Sequence, residues 1–466
     1  MSASPHLELG VGVIATGGID RLWDEIADLV DVVEVEPQTL WGDAGSRRIN
    51  RAALDWVLAR DRPLLSHGVG YPVGGTTAPE RDGVRASARS ASELGASHWS
   101  EHLSFNQAAG PDGRRYAGYL LPPIPTPEAA AAAIAHIGVY QDQRDEPFLV
   151  ETPTSYLSAV PGDLTDGEFV AAIAEGADCG ILLDLHNIWA NELNGRQSVE
   201  DFLDQIPLKR VREVHVAGGD YLGECYLDSH VGPVAPEVLE LARRALPRLP
   251  NVRAVLFEAV PHSIAQMGVT GLRRVLTDIH TVVAAAGRPP SAAGQSLAVE
   301  QHPAAAGPTG RSTIPPVHHS RGDTARREAE LLGYTTRASD ELPDHDPGAE
   351  VLRHLTDQAR LSLLVGTHRA ALAALMSALG PAAARGALNE FLATTPATAW
   401  PQEQGAAFDD WFLRFAGAGR LTAPDGRRHP SRPVAGAAAG APRAASGSPS
   451  IRNTVHSSRA TAPRLR

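Results

Sequence analysis

The chain predicts an α/β fold, a TIM (β/α)8 barrel followed by a linker and a small all-α C-terminal domain. Two observations carry this. Between residues 7 and 286, eight short apolar runs alternate with eight amphipathic stretches. The runs are rich in leucine and β-branched residues, as parallel strands buried on both faces are. The second observation favours a barrel over an open doubly wound sheet, which usually carries G-x-G-x-x-G after its first strand. Here that position reads VGVIATGG, a glycine turn without the spacing.

In chain order the strands are expected at 7–13, 32–36, 63–67, 98–102, 147–151, 180–184, 211–215 and 254–258. The amphipathic stretches between them fall at 19–29, 49–60, 79–94, 126–143, 167–177, 198–206, 235–246 and 269–286. The barrel is thus bounded as 1–286. Residues 287–347 mix Pro, Ala, Gly and His without periodicity, which reads as a linker. Helical periodicity returns over 348–420 in VLRHLTDQARLSLLVGTHRAALAALMSALG, GALNEFLATTP and FDDWFLRFAG. The remainder, 421–466, is a basic tail of Arg among Ala, Pro, Ser and Gly, a composition expected to be disordered.

At 466 residues with 43% hydrophobic content the chain has enough apolar surface for a substantial core. Its net charge of −12 excludes a general nucleic-acid binder, so no nucleic-acid partner is expected. Cys179 and Cys225 are the only cysteines, too few for a disulfide framework or a thiolate metal cage. The start MSASPHLELG lacks signal-peptide character and no apolar run is read as spanning a bilayer, so the expected setting is cytoplasmic, with no membrane partner.

The chemistry lies at the ends of the runs. LLSH ends at His67, HWSEH at His102, FLVE at Glu151, ILLDLHN at Asp184 and Asn187, VREVH at His215 and VLFE at Glu258. Asp228 and His230 follow in a loop. Parallel strands aim these ends at one mouth of the barrel, where such enzymes keep their chemistry. Imidazole and carboxylate without thiolate suit iron, manganese or zinc. Nine candidate ligands, His67, His102, Glu151, Asp184, Asn187, His215, Asp228, His230 and Glu258, exceed what one ion uses, so two or three ions bridged by carboxylates are expected. Without cations that many carboxylates in an apolar mouth would be costly. Glu151 and His215 are the candidates for a catalytic role, with Glu151 the expected bridging carboxylate. His98 reads as a hydrogen-bonded structural residue. Glu34 and Glu36 are read either as supports of a metal-bound His or as simple partners of Arg. His186 and His262 lie beside the constellation, His186 the more suggestive.

These segments resemble the multinuclear non-haem iron-dependent oxidative enzymes (MNIO), a family that includes the methanobactin-maturing oxidases. The resemblance runs over most of residues 7–262. It is carried by HGVGYPVGG, SEHLSF, VETPTSY, LDLHNIWAN, VHVAGG, LDSHVGPV and FEAVP, in that order. It implies a TIM barrel holding two or three irons at the nine positions, a mixed Fe(II)/Fe(III) centre that activates O2 as co-substrate. The implied substrate is a cysteine-containing, ribosomally synthesised precursor peptide. The sequence departs from the family pattern at Thr152, where Asn is usual after Glu151. It departs again at His186, in place of Asn, and after Glu258, where Ala259 and Val260 replace a common acidic partner. The segment 348–420 is also similar to the helical part of peptide-binding partner proteins of the family, which implies a recognition partner fused in cis. Two other readings remain open. One is a xylose-isomerase-like metal-dependent isomerase or hydrolase, including endonuclease types, and the other a non-catalytic metal- or peptide-binding module.

Overall fold

The structure is a computed structural model that describes residues 7–41, 47–110, 113–286, 323–398 and 401–421. In chain order the elements begin with β1 (Gly10–Ile14), α1 (Ile19–Ile26), β2 (Val32–Val35), α2 (Asp55–Leu58), β3 (Leu64–Gly68), α3 (Arg81–Leu94) and β4 (Trp99–His102). An inserted hairpin, β5 (Phe105–Gly110) and β6 (Gly113–Leu121), precedes α4 (Pro127–Gln141), β7 (Phe148–Glu151), α5 (Asp166–Gly176) and β8 (Gly180–Asp184). Next come α6 (Leu185–Leu193), α7 (Val199–Gln205), β9 (Val211–Ala217) and a small hairpin of β10 (Asp220–Leu222) and β11 (Cys225–Leu227). The barrel closes with α8 (Pro236–Ala245), β12 (Ala254–Glu258) and α9 (Pro261–Ala286). Beyond it lie α10 (Asp323–Thr335), α11 (Pro347–Thr367), α12 (Arg369–Thr394) and α13 (Pro401–Gly417).

Eight strands close in the order β1-β12-β9-β8-β7-β4-β3-β2, all paired in parallel, as the sequence predicts. The strands are buried almost throughout because helices cover the outside and side chains fill the inside. Local signals set the helix ends. Thr126 caps α4 by accepting from the Ala129 amide, with Pro127 at the first helical position. Thr165 and Glu168 form a reciprocal capping box on α5.

Residues 323–347 correct the expected linker. They contain α10, whose Leu331, Leu332 and Tyr334 bury against Phe105, Ala117 and Leu121 of the inserted hairpin and Leu352 of α11. Bonds to the barrel reinforce that packing. Glu328 accepts from the Thr76 amide at 3.0 Å, and Arg327 pairs with Asp163 at 2.9 Å with both side chains buried. The rest of the expected linker, 287–322, and the basic tail from Thr422 lie outside the described residues.

A second correction concerns α12, which by length and composition alone is apolar enough to cross a membrane, with mean hydropathy 1.3 in its best window. It is broken at Gly380 (φ 74°, ψ 166°) before Pro381, leaving two arms that are each shorter than the roughly 20 residues a span needs. Its Leu375, Ala384, Phe391 and Leu392 form one core with Leu364 of α11 and Phe408 and Trp411 of α13. The helix therefore has a protein partner for its buried stripe.

Candidate metal centre

Register places the polar strand ends side by side. His102 is paired across the ladder with Glu151, and Asp184 with His215. His67 ends the apolar part of β3, and Gly68 follows because any Cβ there would lie 2.3 Å from Glu101 Oε2. The Gly68 carbonyl in turn accepts from His102 Nδ1 at 2.8 Å, and His67 Nδ1 lies 2.7 Å from Ser100 Oγ. Both rings are thus held with Nε2 towards Glu151. Each Nε2 lies 3.2 Å from the same oxygen, Glu151 Oε2.

The other carboxylate oxygen of Glu151 faces His215 Nδ1 at 4.0 Å, in a group completed by Asp184 and Glu258. Glu258 repeats the arrangement. Its Oε2 lies 3.3 Å from His215 Nδ1, while its Oε1 lies 3.1 Å from His230 Nδ1. His230 Nε2 continues to Asp228 Oδ1 at 2.7 Å. Three adjoining ligand groups result: His67, His102 and Glu151; Glu151, Asp184, His215 and Glu258; and His186, Asp228 and His230, with Glu151 shared by the first two and Glu258 touching His230 of the third.

Local chain geometry supplies the remaining pieces. Asp184 ends β8 and caps α6, accepting from the Asn187 amide at 2.9 Å. Asn187 Nδ2 donates to the Thr152 carbonyl at 3.1 Å, which turns Oδ1 the other way and leaves it without a partner. Thr152, where the family pattern has Asn, accepts from the Asp184 amide through Oγ1 at 2.9 Å, tying β7 to β8. The β10–β11 hairpin delivers Asp228 and His230. His230 takes a left-handed conformation (φ 52°), unusual for a residue with a Cβ and of the kind concentrated at functional sites.

Electrostatics shows what this arrangement demands. Burial alone would lower the His67 pKa, but the charge and hydrogen bond of Glu151, with Glu34 behind, push it up to about 10. His215 and His230 likewise overcome burial and are held well above the ordinary range, by Glu34, Glu213 and Glu258 and by Asp228 and Glu258 respectively. At Asp184 the opposing charges of His186 and His215 fall short. Burial, then the charges of Asp228 and Glu151, raise it to about 6.

The hydrogen-bond account points the same way. Among the described residues, the buried polar atoms that form no hydrogen bond include Asp184 Oδ2 and Asn187 Oδ1, and also Glu151 Oε2, His215 Nδ1 and His230 Nε2, whose near neighbours are other ligand-type atoms at ion-pair distance. Buried polar atoms are rarely left unpaired. These five belong to separate strands, a helix and a loop yet converge in one mouth, and their donor chemistry suits hard or borderline cations. The residues present therefore fit a multinuclear metal centre.

Three residues outside the nine extend the picture. His186 is buried, with Nδ1 3.2 Å from Asp228 Oδ1 and Nε2 3.2 Å from Tyr226 Oη, so it orients Asp228. Glu34 meets His215 Nε2 at 3.0 Å and not an arginine. Glu213 was missing from the sequence reading. It contacts both His215 and His98, and its position two residues before His215 on a strand could have revealed it. His98 is buried on Glu213 at 3.0 Å, away from the nine, as its structural reading has it. His262 is exposed in the first turn of α9 and takes no part. Glu36 is raised to about 6 by burial and the Glu258 charge.

A closed parallel barrel whose strand ends converge on orphaned His, Asp, Glu and Asn atoms defines a metal-binding (β/α)8 enzyme class. Residues 9–266 match the family described as RiPP precursor modification enzyme MbnB/TglH/ChrH, and the chain belongs to that family. The resemblance read from the sequence is thereby borne out. The chain is 32% identical over 218 residues to a UPF0276 protein of Pseudomonas aeruginosa, covering 46% of this chain and 73% of that one. It is 31% identical over 260 residues to a UPF0276 protein of Rhizorhabdus wittichii, covering 55% and 89%. Among solved structures it is similar to a xylose isomerase domain containing protein from Salmonella typhimurium LT2, at 12% identity and TM-score 0.41, covering 59% of this chain and 97% of that one. It is also similar to D-allulose 3-epimerase from Methylomonas sp., at 15% identity and TM-score 0.36, covering 61% and 96%.

Proposed function

We propose that this protein is an iron-dependent, O2-using oxidase or oxygenase that modifies a ribosomally synthesised precursor peptide at cysteine, in the reducing cytoplasm. The observation that supports it most is the shared use of Glu151. One carboxylate faces two ligand groups, as a bridge between ions requires. His67, His102 and Glu151 would hold one iron, and Glu151, Asp184, His215 and Glu258 a second. Glu258, Asp228 and His230, with Asn187 adjacent, are the donors for a third. Iron held there supplies one-electron oxidation chemistry with O2 and a site for a substrate thiolate.

The chain's own residues do the positioning. Ser100 and the Gly68 carbonyl fix the rings of His67 and His102, and Glu34 holds the far nitrogen of His215. A cavity of about 460 Å³ opens onto His102, Glu151, Asn187, Asp228 and His230, so a substrate reaches the centre from that side. Tyr119 and Tyr156 line its wall, and α11 and α13 complete it. The C-terminal helices thus border the substrate space, which supports peptide recognition in cis. Neither cysteine of the chain lines that cavity, so the thiol comes from another molecule.

The test is co-expression with a short cysteine-containing open reading frame from beside the gene, followed by mass analysis of the peptide. A mass change that depends on iron and O2 is expected. An unmodified peptide, together with metal-dependent sugar isomerisation or phosphodiester hydrolysis, would favour the non-redox readings.

A further inference from the structure

The cavity that opens onto the carboxylates also has a cation in its lining. Arg360 of α11 lines the cavity and is fully buried, yet it has no carboxylate within ion-pair distance among the described residues. Its guanidinium donates instead to neutral acceptors. These are Gln404 Oε1 at 3.2 Å, the Leu392 carbonyl at 3.3 Å and the Thr395 carbonyl at 2.6 Å. Three contacts leave part of its five-donor fork unused. Burial lowers its pKa to about 10 against the opposing charge of Asp357, which is itself paired with Arg337, so Arg360 still carries its charge at neutral pH.

Gln404 adds an independent observation. Its bond to Arg360 fixes which end of the amide faces the guanidinium, so its Nε2 points elsewhere. Gln404 lines the same cavity, is 1% exposed, and its Nε2 has no hydrogen-bond partner. A buried cation that makes no ion pair and a buried amide donor without an acceptor therefore border one space. A carboxylate satisfies both, since it neutralises the charge and accepts from planar donors. The other charged or imidazole groups lining the cavity, His102, Glu151, Asp228 and His230, are metal-ligand types, so they and Arg360 suit different parts of one substrate.

We infer that Arg360 and Gln404 form a carboxylate-binding subsite, which anchors a carboxylate of the substrate peptide while its cysteine sits at the metal floor. This rests on the peptide-modifying reading and assigns the C-terminal helices a direct contact with substrate. The carboxylate comes either from the peptide C-terminus or from an acidic side chain.

Binding to the full-length, anaerobically purified protein is measured calorimetrically with three probes. They are acetyl-Cys-Ala-Ala as the free acid, the same peptide as its amide, and acetyl-Cys-Ala-Glu amide, each also made with Ser in place of Cys. The free acid, the Glu peptide, or both should bind at least tenfold more tightly than the Ala-Ala amide, and which of them does so identifies the source. Gln404→Glu places a carboxylate beside Arg360 and should erase that preference while keeping the melting temperature at or above wild type. Equal or undetectable binding of acid and amide forms overturns the subsite, as does a preference that survives Gln404→Glu. Preference in the Ser series upholds the subsite even if no cysteine is oxidised. Oxidation of the amide peptide without any acid preference upholds the cysteine chemistry and removes the subsite.

Discussion

Replacing Glu151 by Gln keeps the shape of the side chain and removes its charge, and two separate losses follow. With metal present, the anionic oxygens facing His67 and His102 on one side and His215 on the other become a weakly donating amide. Loss of one well-placed ligand or support costs about tenfold to a hundredfold in affinity, or roughly 1.4 to 2.8 kcal/mol. A bridging residue imposes that loss at both ions it joins. Without metal, Glu151 is the counter-charge for His67 and His102, and removing one partner of a buried pair costs about 3 to 5 kcal/mol. The His67 pKa is raised from 6.5 to about 10, so the stabilisation from this pair is full below about pH 6.5 and is lost as pH rises towards 10. The metal-free Gln variant should therefore melt well below metal-free wild type at pH 6.5 and approach it near pH 10. The assay is anaerobic reconstitution with ferrous iron, counting bound iron after desalting, with melting curves of both metal-free forms across that range. Full iron content and wild-type peptide turnover in Glu151→Gln would refute the bridging role, as would a melting difference independent of pH.

Other consequences are open to measurement. Metal loading must displace protons held on His67, His215 and His230, so apparent affinity should rise with pH between about 6 and 9. Calorimetry in buffers of different ionisation heat should show net proton release, and none would contradict the protonated metal-free centre. His215→Ala should abolish turnover, whereas His98→Ala should chiefly lower stability, by up to about 3 kcal/mol, because buried Glu213 loses one of its two imidazole partners. Comparing melting with single-turnover rates separates the two. The Glu328 carboxyl is raised from 4.5 to about 7, chiefly by burial. The native state then binds the extra proton between those values, so the stability it contributes declines as pH rises from about 4.5 to 7. Glu328→Gln should remove that slope and match or exceed wild type above pH 7, about 3 kcal/mol being the size of the effect. An unchanged pH profile would dismiss it.

The barrel was legible because strands buried on both faces are continuous apolar runs, and the eight expected runs match its strands to within a few residues. Six of the nine candidate ligands, His67, His102, Glu151, Asp184, His215 and Glu258, stood out because parallel strands end at the same mouth. Register was not. That His102 sits beside Glu151, and that Glu151 and Glu258 each face two groups, depends on strand offsets that no local pattern encodes. Asn187 was read as part of a strand end, yet it stands in the first turn of α6, because LDLHN switches from strand to helix at Asp184. The segment before α11 read as linker because the first half of α10 is charge-rich, with Arg326, Arg327, Glu328 and Glu330 masking the Leu331–Leu332 pair that docks it. The inserted hairpin β5–β6 was passed over for a related reason: its sequence lacks clean alternation, and a register shift interrupts the pairing between Phe105 and Gln107.

The central claim is that the centre is an iron site doing redox chemistry on a peptide thiol, and one reconstitution experiment addresses it directly. Metal-free protein is loaded anaerobically with iron or with zinc, mixed with the cysteine peptide, and exposed to O2 while oxygen consumption and peptide mass are followed. O2 uptake and a modified peptide are expected with iron alone, and neither with zinc. Full peptide or substrate turnover restored by zinc, with iron inert, would contradict the claim while leaving the ligand geometry in place.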